Sequence, residues 1–221
     1  MRVVVVGASG GIGSALADVA AARGADVIRL ARPAIDAMRP ETFLAAGEAA
    51  GDCLSHVLVA SGLLHRHGEG PERDLRMLDP DWLLESYRAN AVVPAMAARA
   101  FAPRLAREGQ AIFAVLTARV GSIGDNRLGG WYAYRMAKAA ANQLVKTLSV
   151  ELKRKNPAAV VVALHPGTVD TAMSKPFQRN LKPGQLVAPA TAAANLWAVM
   201  DQLTPADSGR FLAWDGSEIP W

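Results

Sequence analysis

The fold is decided by one stretch near the N-terminus, Arg2-Val3-Val4-Val5-Val6 followed at once by Gly7-Ala8-Ser9-Gly10-Gly11-Ile12-Gly13. A short unbroken run of β-branched residues is typical of a strand that is buried on both faces. The glycines let the backbone turn tightly, and the free N–H groups and dipole of the helix that follows favour an anion. This stretch therefore predicts a strand, a phosphate-binding turn and a helix.

Beyond this turn, segments typical of strands and of helices alternate along the whole chain. Strands are predicted at 2–6, 26–31, 56–60, 111–116, 160–164 and 210–214, with a very short one at 34–36; helices are predicted at 12–23, 41–50, 81–107, 132–155 and 190–202. We expect Pro94 and Pro103 to kink or break the long helical region, because proline removes a backbone donor and crowds the preceding turn. The alternation implies right-handed crossovers and a parallel sheet. We therefore expect an α/β fold, with residues 1–221 forming a single doubly wound Rossmann-type domain. Its sheet should be mostly parallel, with six to seven strands and helices on both faces.

Composition excludes several classes of protein. The chain has 221 residues, of which 51% are hydrophobic and 20% charged, with one cysteine and a net charge of +4. A single cysteine excludes an internal disulfide, and no apolar run reaches the roughly 18–20 residues of a membrane span, so we expect a cytoplasmic protein. The basic residues are scattered apart from a short cluster at 153–155, so no nucleic-acid partner is expected. His56, His65 and His67 have no carboxylate at ligand spacing, so we expect solvated loop histidines at 65 and 67 and no metal site.

The end of the second predicted strand indicates which dinucleotide the turn binds. In this fold a carboxylate at that point binds the ribose 2′-hydroxyl of NAD, whereas an arginine accommodates the 2′-phosphate of NADP. The sequence there is Leu30-Ala31-Arg32, with no acid. A guanidinium suits phosphate because its planar fork offers several donors. The sequence therefore favours NADP(H), with NAD(H) as the alternative.

A tyrosine and a lysine four residues apart, in Tyr134-Arg135-Met136-Ala137-Lys138, point to proton transfer. Residues at this spacing share one face of a helix. A tyrosine with an ordinary pKa near 10 exchanges protons poorly at neutral pH, and a neighbouring ammonium lowers that pKa by favouring the phenolate. Tyr134 is therefore predicted to act as a general acid or base on a substrate oxygen.

Taken together, the motifs resemble those of the classical short-chain dehydrogenases/reductases over essentially the whole chain. The matching stretches are the glycine turn, Tyr134-x-x-x-Lys138 and His165-Pro166-Gly167-Thr168-Val169-Asp170-Thr171. Within the family, Gly121-Ser122-Ile123 and Gly129-Gly130-Trp131-Tyr132-Ala133-Tyr134-Arg135 look most like the C-factor and sniffer branch of carbonyl-reductase-like proteins. The resemblance implies reversible hydride transfer between NADP(H) and a small-molecule carbonyl or secondary alcohol. The alternative is a cofactor-binding signalling or scaffold protein with little turnover.

The resemblance also implies roles for individual residues. Tyr134 would be the acid or base, Lys138 would hold the nicotinamide ribose and depress the tyrosine pKa, and Asn90 would support a water on the proton relay. Asp36 would contact the adenine and Thr171 the nicotinamide carboxamide. The full cofactor set would be Gly7, Ser9, Gly11, Ile12, Gly13, Arg32, Asp36, Gly62, Tyr134, Lys138, Pro166, Gly167, Val169 and Thr171. A substrate lid is expected around 171–189, and a homodimer or homotetramer is possible in this family.

The chain departs from the family pattern at the catalytic serine. The family places this serine just after its fifth strand, which corresponds to the strand predicted at 111–116. When the two sequences are aligned on the glycine that follows, Gly121, Ala118 stands in the position of the serine. A hydroxyl there would donate a hydrogen bond to the substrate oxygen, and by analogy with an oxyanion donor its loss costs about 10²–10³ in rate. Thr117 and Ser122 are the candidates to supply it. Ser122 is preferred because it lies twelve residues before Tyr134, close to the usual spacing.

Overall fold

The computed structural model describes residues 1–66 and 70–221, so His67 lies outside the described residues. Its main feature is a six-stranded parallel sheet in the order β2-β1-β3-β4-β5-β8. These strands are β1 (Arg2–Val6), β2 (Asp26–Leu30), β3 (His56–Val59), β4 (Ala111–Leu116), β5 (Ala159–His165) and β8 (Phe211–Ala213). A separate parallel pair is formed by β6 (Thr168–Val169) and β7 (Leu186–Val187).

Six α-helices in the described residues cover the sheet on both faces. They are α1 (Gly11–Ala22), α2 (Glu41–Ala50), α3 (Pro80–Tyr87), α4 (Val93–Phe101), α5 (Tyr132–Lys155) and α6 (Pro189–Gln202). Alternate valines of β1 enter different cores, because side chains of a strand alternate between faces. Val4 and Val6 pack with α2, α4 and α5, while Val3 and Val5 pack with α1 and α6. The predicted α/β domain with a doubly wound parallel sheet is confirmed, and no helix in the described part of the chain is long and apolar enough to cross a membrane.

The strand order places the functional edge of the sheet. From β1 the chain moves to β2 on one side and then returns to β3 on the other. Ligands of doubly wound sheets bind beyond the carboxyl ends of the strands at this reversal. The turn after β1 and the segment after β3 therefore flank the expected cofactor cleft.

The short strand predicted at 34–36 does not form, and this prediction was wrong. Residues Asp36 and Arg39 make only an isolated antiparallel bridge. The Asp36 carboxylate accepts a hydrogen bond from the amide of Met38 at 2.9 Å, which closes the chain into a turn. Aspartate side chains favour such local bonds to the backbone over an extended ladder.

The helical region predicted at 81–107 is interrupted as expected, and the interruption has a consequence for the site. Helix α3 ends at Tyr87, a π-helical turn spans Arg88–Val92, and α4 begins at Val93. Pro94 therefore lies in the first turn of α4, directly after the π turn. The wider π turn leaves the side chain of Asn90 fully buried.

Candidate active site

The glycine turn after β1 is shaped for close approach of a phosphate. Gly7 has φ +87°, and a Cβ there would lie 2.7 Å from the amide nitrogen of Ser61, so only glycine fits. A Cβ on Gly13 would likewise overlap the carbonyl oxygen of Gly7. Helix α1 has neither a side-chain cap nor an acid in its first turn, so its N–H groups remain available for an anion. These features fit the pyrophosphate of a dinucleotide.

Two residues predicted to contact the adenosine half of the cofactor lie beyond β2. Arg32 is exposed and forms no ion pair among the described residues. Asp36 is half-buried, and besides Met38 it contacts the Arg39 guanidinium, with Nε and Oδ2 3.4 Å apart. The free cation and the locally engaged carboxylate give this end of the cleft the polarity that suits an additional phosphate.

Tyr134 and Lys138 lie together in the first turns of α5, as their spacing predicts. Both are buried, and the Lys138 ammonium lies 5.7 Å from the centroid of the tyrosine ring. Lys138 Nζ donates a hydrogen bond to the carbonyl oxygen of Leu116 at the end of β4, at 2.9 Å. Burial raises the pKa of Tyr134 above its usual range and lowers the pKa of Lys138 to about 8. The sequence predicted that Lys138 would lower the pKa of Tyr134, whereas in the structure burial of the phenol raises that pKa, so the tyrosine is a phenol at neutral pH.

Asn90 and Gly62 connect this pair to the segment after β3. The Asn90 amide donates to the carbonyl oxygen of Leu63 at 2.7 Å, and its carbonyl accepts from the Leu63 amide at 3.1 Å. A Cβ on Gly62 would lie 3.3 Å from Asn90 Oδ1 and 3.7 Å from Lys138 Nζ. Asn90 thus fixes the backbone beside the cleft, and Gly62 leaves room for the asparagine and the lysine to converge.

The candidate hydroxyls for the family serine differ in whether their proton is already used. Ser122 Oγ donates to the carbonyl oxygen of Pro220 and accepts from the amide of Asp125 at 3.0 Å. A hydroxyl has one proton, so Ser122 cannot donate to a substrate while it holds Pro220. Thr117 Oγ1 is buried without a hydrogen-bond partner, whereas Ala118 itself is partly exposed.

The third motif contacts Trp214 at one end and the glycine turn at the other. Gly167 has φ +79°, and a Cβ there would lie 3.1 Å from the indole of Trp214. Val169 is buried in β6, and the pairing of β6 with β7 ties together the two ends of the predicted lid. Thr171 then approaches Gly11, since its Cγ2 would lie 2.8 Å from a Cβ at that glycine. Of the remaining predicted contacts, Ser9 is exposed in the turn, Ile12 is partly buried against the core, and Pro166 is buried.

One residue beside Tyr134 and Lys138 was not predicted from the sequence. Glu72 is 3% exposed, and its Oε1 accepts a hydrogen bond from the amide of Ala133, the residue before Tyr134, at 3.3 Å. Its Oε2 is buried without a partner. Neither spacing nor periodicity relates Glu72 to α5. The only local signal in the sequence is the Gly70-Pro71 pair before it, which indicates a turn and not a contact with the helix. Elsewhere in the described residues, no cluster of histidine, cysteine and acidic side chains could hold a metal ion.

Comparison with known proteins agrees with these features. Residues 58–182 match the family model described as short chain dehydrogenase. A relative from Rhodococcus sp. (strain AD45), 1-hydroxy-2-glutathionyl-2-methyl-3-butene dehydrogenase, is 33% identical over 236 residues, which cover 99% of each chain. The C-signal protein of Myxococcus xanthus is 37% identical over 139 residues, covering 63% of this chain and 78% of that protein.

Solved structures share the whole fold. The carbonyl reductase Sniffer of D. melanogaster superposes with a TM-score of 0.82 at 22% identity, covering 100% of this chain and 99% of that one. An NADPH-bound carbonyl reductase from chicken fatty liver gives a TM-score of 0.79 at 22% identity, covering 100% and 94% of the two chains. The chain therefore belongs to the short-chain dehydrogenase family of oxidoreductases, and the C-signal protein is among its relatives.

Proposed function

We propose that this protein transfers hydride reversibly between NADP(H) and a small-molecule carbonyl or secondary alcohol. The observation that carries the proposal is the burial of Tyr134 beside Lys138, whose ammonium lies near Gly62 and Asn90. A phenol and an ammonium at the carboxyl edge of the sheet form a proton donor next to the expected position of the nicotinamide. The remaining steps follow from the residues of the chain.

The cofactor supplies the hydride when bound, and the chain holds it in place. The α1 N-terminus with Gly7, Gly11 and Gly13 would bind the pyrophosphate. Arg32 would meet the 2′-phosphate, which favours NADP(H) over NAD(H), because no carboxylate directly follows β2. Lys138 and Thr171 would bind the ribose and the carboxamide at the nicotinamide end.

Tyr134 would donate its proton to the substrate oxygen during reduction. Because burial raises the pKa of Tyr134, the phenol that donates this proton predominates at neutral pH. Oxidation needs the phenolate and should accelerate as the pH rises. Lys138, with a pKa of about 8, carries most of its positive charge at pH 7 and stabilises the phenolate left after proton transfer.

Ser122 has a structural role in this proposal. Its hydroxyl ties the turn at 122–125 to Pro220, so Ser122 does not donate to the substrate oxygen. A homodimer or homotetramer, paired through the helices of regions 81–107 and 132–155, stays a prediction that sedimentation velocity would test.

Replacing Tyr134 with phenylalanine tests the function. We expect Tyr134→Phe to abolish NADPH-dependent reduction across a panel of carbonyls while leaving NADPH binding unchanged. Tyr132→Phe is the matched control, since residue 136, four positions on, is a methionine, and it should retain activity. Turnover by Tyr134→Phe at the wild-type rate would contradict the proposal. NADPH binding by the wild type without oxidation of any alcohol or reduction of any carbonyl would favour the signalling or scaffold alternative instead.

One observation favours a specific second class of substrate, glutathione-conjugated alcohols. The lid at 171–189 contains Lys175, Arg179 and Lys182 and no acid, and all three cations are exposed. A glutathione conjugate carries two carboxylates, and the Rhodococcus relative named for such a substrate matches the full length of the chain. If this class is correct, S-alkylglutathiones should inhibit competitively in a salt-sensitive manner, and Arg179→Glu should weaken that inhibition. Equal inhibition of wild type and variant would exclude it.

A further inference from the structure

Residues 129–131 form a left-handed turn directly before α5. Gly129, Gly130 and Trp131 have φ values of +64°, +63° and +54°. Glycine adopts this conformation freely, but the Cβ of tryptophan is crowded by the backbone there. A non-glycine residue in this region persists only where its surroundings hold it, and such residues concentrate at functional sites.

Glu72 holds the turn through its main chain and its side chain. The amide of Trp131 donates to the carbonyl oxygen of Glu72 at 2.6 Å, and the amide of Ala133 donates to the carboxylate at 3.3 Å. Helix α5 has no side-chain cap of its own at Trp131, so the buried carboxylate takes that place. The strained residue is thereby fixed on its N-terminal side.

Arg135 holds the same turn from within the helix. Its guanidinium donates to the carbonyl oxygens of Gly130 and Gly129, with Nε and Nη2 at 2.9 and 3.1 Å, and to that of Val120 with Nη1 at 3.1 Å. Two charged residues, Glu72 and Arg135, therefore maintain one unfavourable conformation, which indicates that the position of the Trp131 side chain matters.

This conformation places an aromatic wall beside the catalytic tyrosine. The Trp131 ring lies 6.5 Å from that of Tyr134, tilted by 65°, and 5.1 Å from that of Phe177, tilted by 52°. Phe177 belongs to the lid and also contacts His65, whose Nε2 lies 3.2 Å from the carbonyl oxygen of Met173. Rings from α5, the lid and the segment after β3 thus meet at the proton donor, and Trp131 and Phe177 are both partly exposed.

We propose that Trp131 and Phe177 determine specificity and select carbonyl compounds in which an aromatic ring is attached to the carbonyl carbon. This inference rests on the proposed function. Aromatic rings favour tilted or offset contacts with centroids 4.5–7 Å apart, and they gain from them beyond the burial of area. A planar ring next to the carbonyl can make such contacts with Trp131 and Phe177 while its oxygen meets Tyr134. A saturated ring of the same size buries similar area without them.

The test compares acetophenone with cyclohexyl methyl ketone, which are similar in size and differ in aromaticity. Equilibrium binding to the NADPH-loaded protein is measured by ligand-detected NMR titration, and kcat/KM by NADPH oxidation. We expect the wild type to favour acetophenone by about two- to tenfold in both measurements. Trp131→Leu, which keeps an apolar side chain, should lose the preference. Leu128→Ala is the control, since it removes an apolar side chain that is 92% exposed from the same loop.

Phe177→Leu provides a second variant if Trp131→Leu does not fold. Loss of the preference in either folded variant, with the preference intact in Leu128→Ala, supports the inference. An equal response of the wild type to the two ketones, or a preference retained by both variants, overturns it. A wild type that binds acetophenone selectively but reduces no carbonyl leaves the aromatic site standing and refutes the proposed function, so the two failures are distinguishable.

Discussion

Restoring a serine at position 118 should make the protein a faster enzyme. Ala118 follows β4 in an extended conformation and is partly exposed, so an added hydroxyl has room to face the cleft. Two residues earlier, the carbonyl oxygen of Leu116 accepts a hydrogen bond from the Lys138 ammonium, so this end of β4 lies beside Lys138. The proton of Ser122 is donated to Pro220, whereas the buried Thr117 Oγ1 has no hydrogen-bond partner and is the remaining candidate hydroxyl of this segment.

The expected gain follows from the number of donors to that oxygen. Tyr134 is the proposed donor to that oxygen, and a second neutral donor adds about 1.4 kcal/mol, or tenfold, as an ordinary hydrogen bond. Removal of a donor that acts on developing negative charge costs about 10²–10³ in kcat. We therefore expect Ala118→Ser to raise kcat by about ten- to a hundredfold, with a smaller change in KM.

The assay is steady-state NADPH oxidation with one carbonyl at saturating cofactor, run on wild type, Ala118→Ser and Ser122→Ala. Ser122→Ala should lower the melting temperature, because it removes two partly buried hydrogen bonds, and should leave kcat within about threefold of wild type. A drop of about 10²–10³ in Ser122→Ala, together with no gain in Ala118→Ser, would refute this reasoning. That result would show that Ser122 is the missing hydroxyl.

Two further predictions concern stability and cofactor choice. Burial lowers the pKa of His56 from 6.5 to about 4, and both its ring nitrogens lack partners, so the unfolded chain takes up a proton that the folded chain does not. The contribution of His56 to stability is therefore full above pH 6.5, and the free energy of unfolding should fall by about 3 kcal/mol on acidification to pH 4. Urea unfolding at several pH values should show that the free energy of unfolding of His56→Phe depends less steeply on pH than that of the wild type. An unchanged dependence on pH would contradict this. Arg32→Glu should weaken NADPH binding by about ten- to a hundredfold while sparing NADH, measured by fluorescence titration, with Arg154→Glu at the end of α5 as the charge-matched control. Equal losses for both cofactors would show that Arg32 does not meet the 2′-phosphate.

The parts of this site that the sequence predicts are those set by local pattern. The valine run before Gly7 predicts β1 within its observed bounds, and the Tyr134 to Lys138 spacing predicts their shared helical face. Both depend on neighbouring residues alone. The strand expected at 34–36 does not form because the Asp36 side chain accepts a hydrogen bond from the nearby Met38 amide. Residue type alone does not decide between such a turn and a short strand.

The remaining features depend on contacts between distant segments. Glu72 reaches Ala133 across 61 residues, and nothing in the sequence around 72 marks it as a cap for α5. Ser122 matched the spacing of the family serine, yet its hydroxyl is used by Pro220, 98 residues away. Trp131 could be expected in the core or the pocket, but its left-handed backbone and its contact with Phe177 become visible only in the folded chain.

Transfer of an isotopic label tests the central claim most directly. NADPH is deuterated at the C4 position whose hydrogen is transferred as hydride, and it is incubated with the wild type and a carbonyl compound. The alcohol product should carry one deuterium on the former carbonyl carbon. The same incubation with Tyr134→Phe should yield almost none, although the variant still binds NADPH. Oxidation of NADPH without deuterium in the alcohol, or equal labelling by the variant, would contradict hydride transfer assisted by Tyr134.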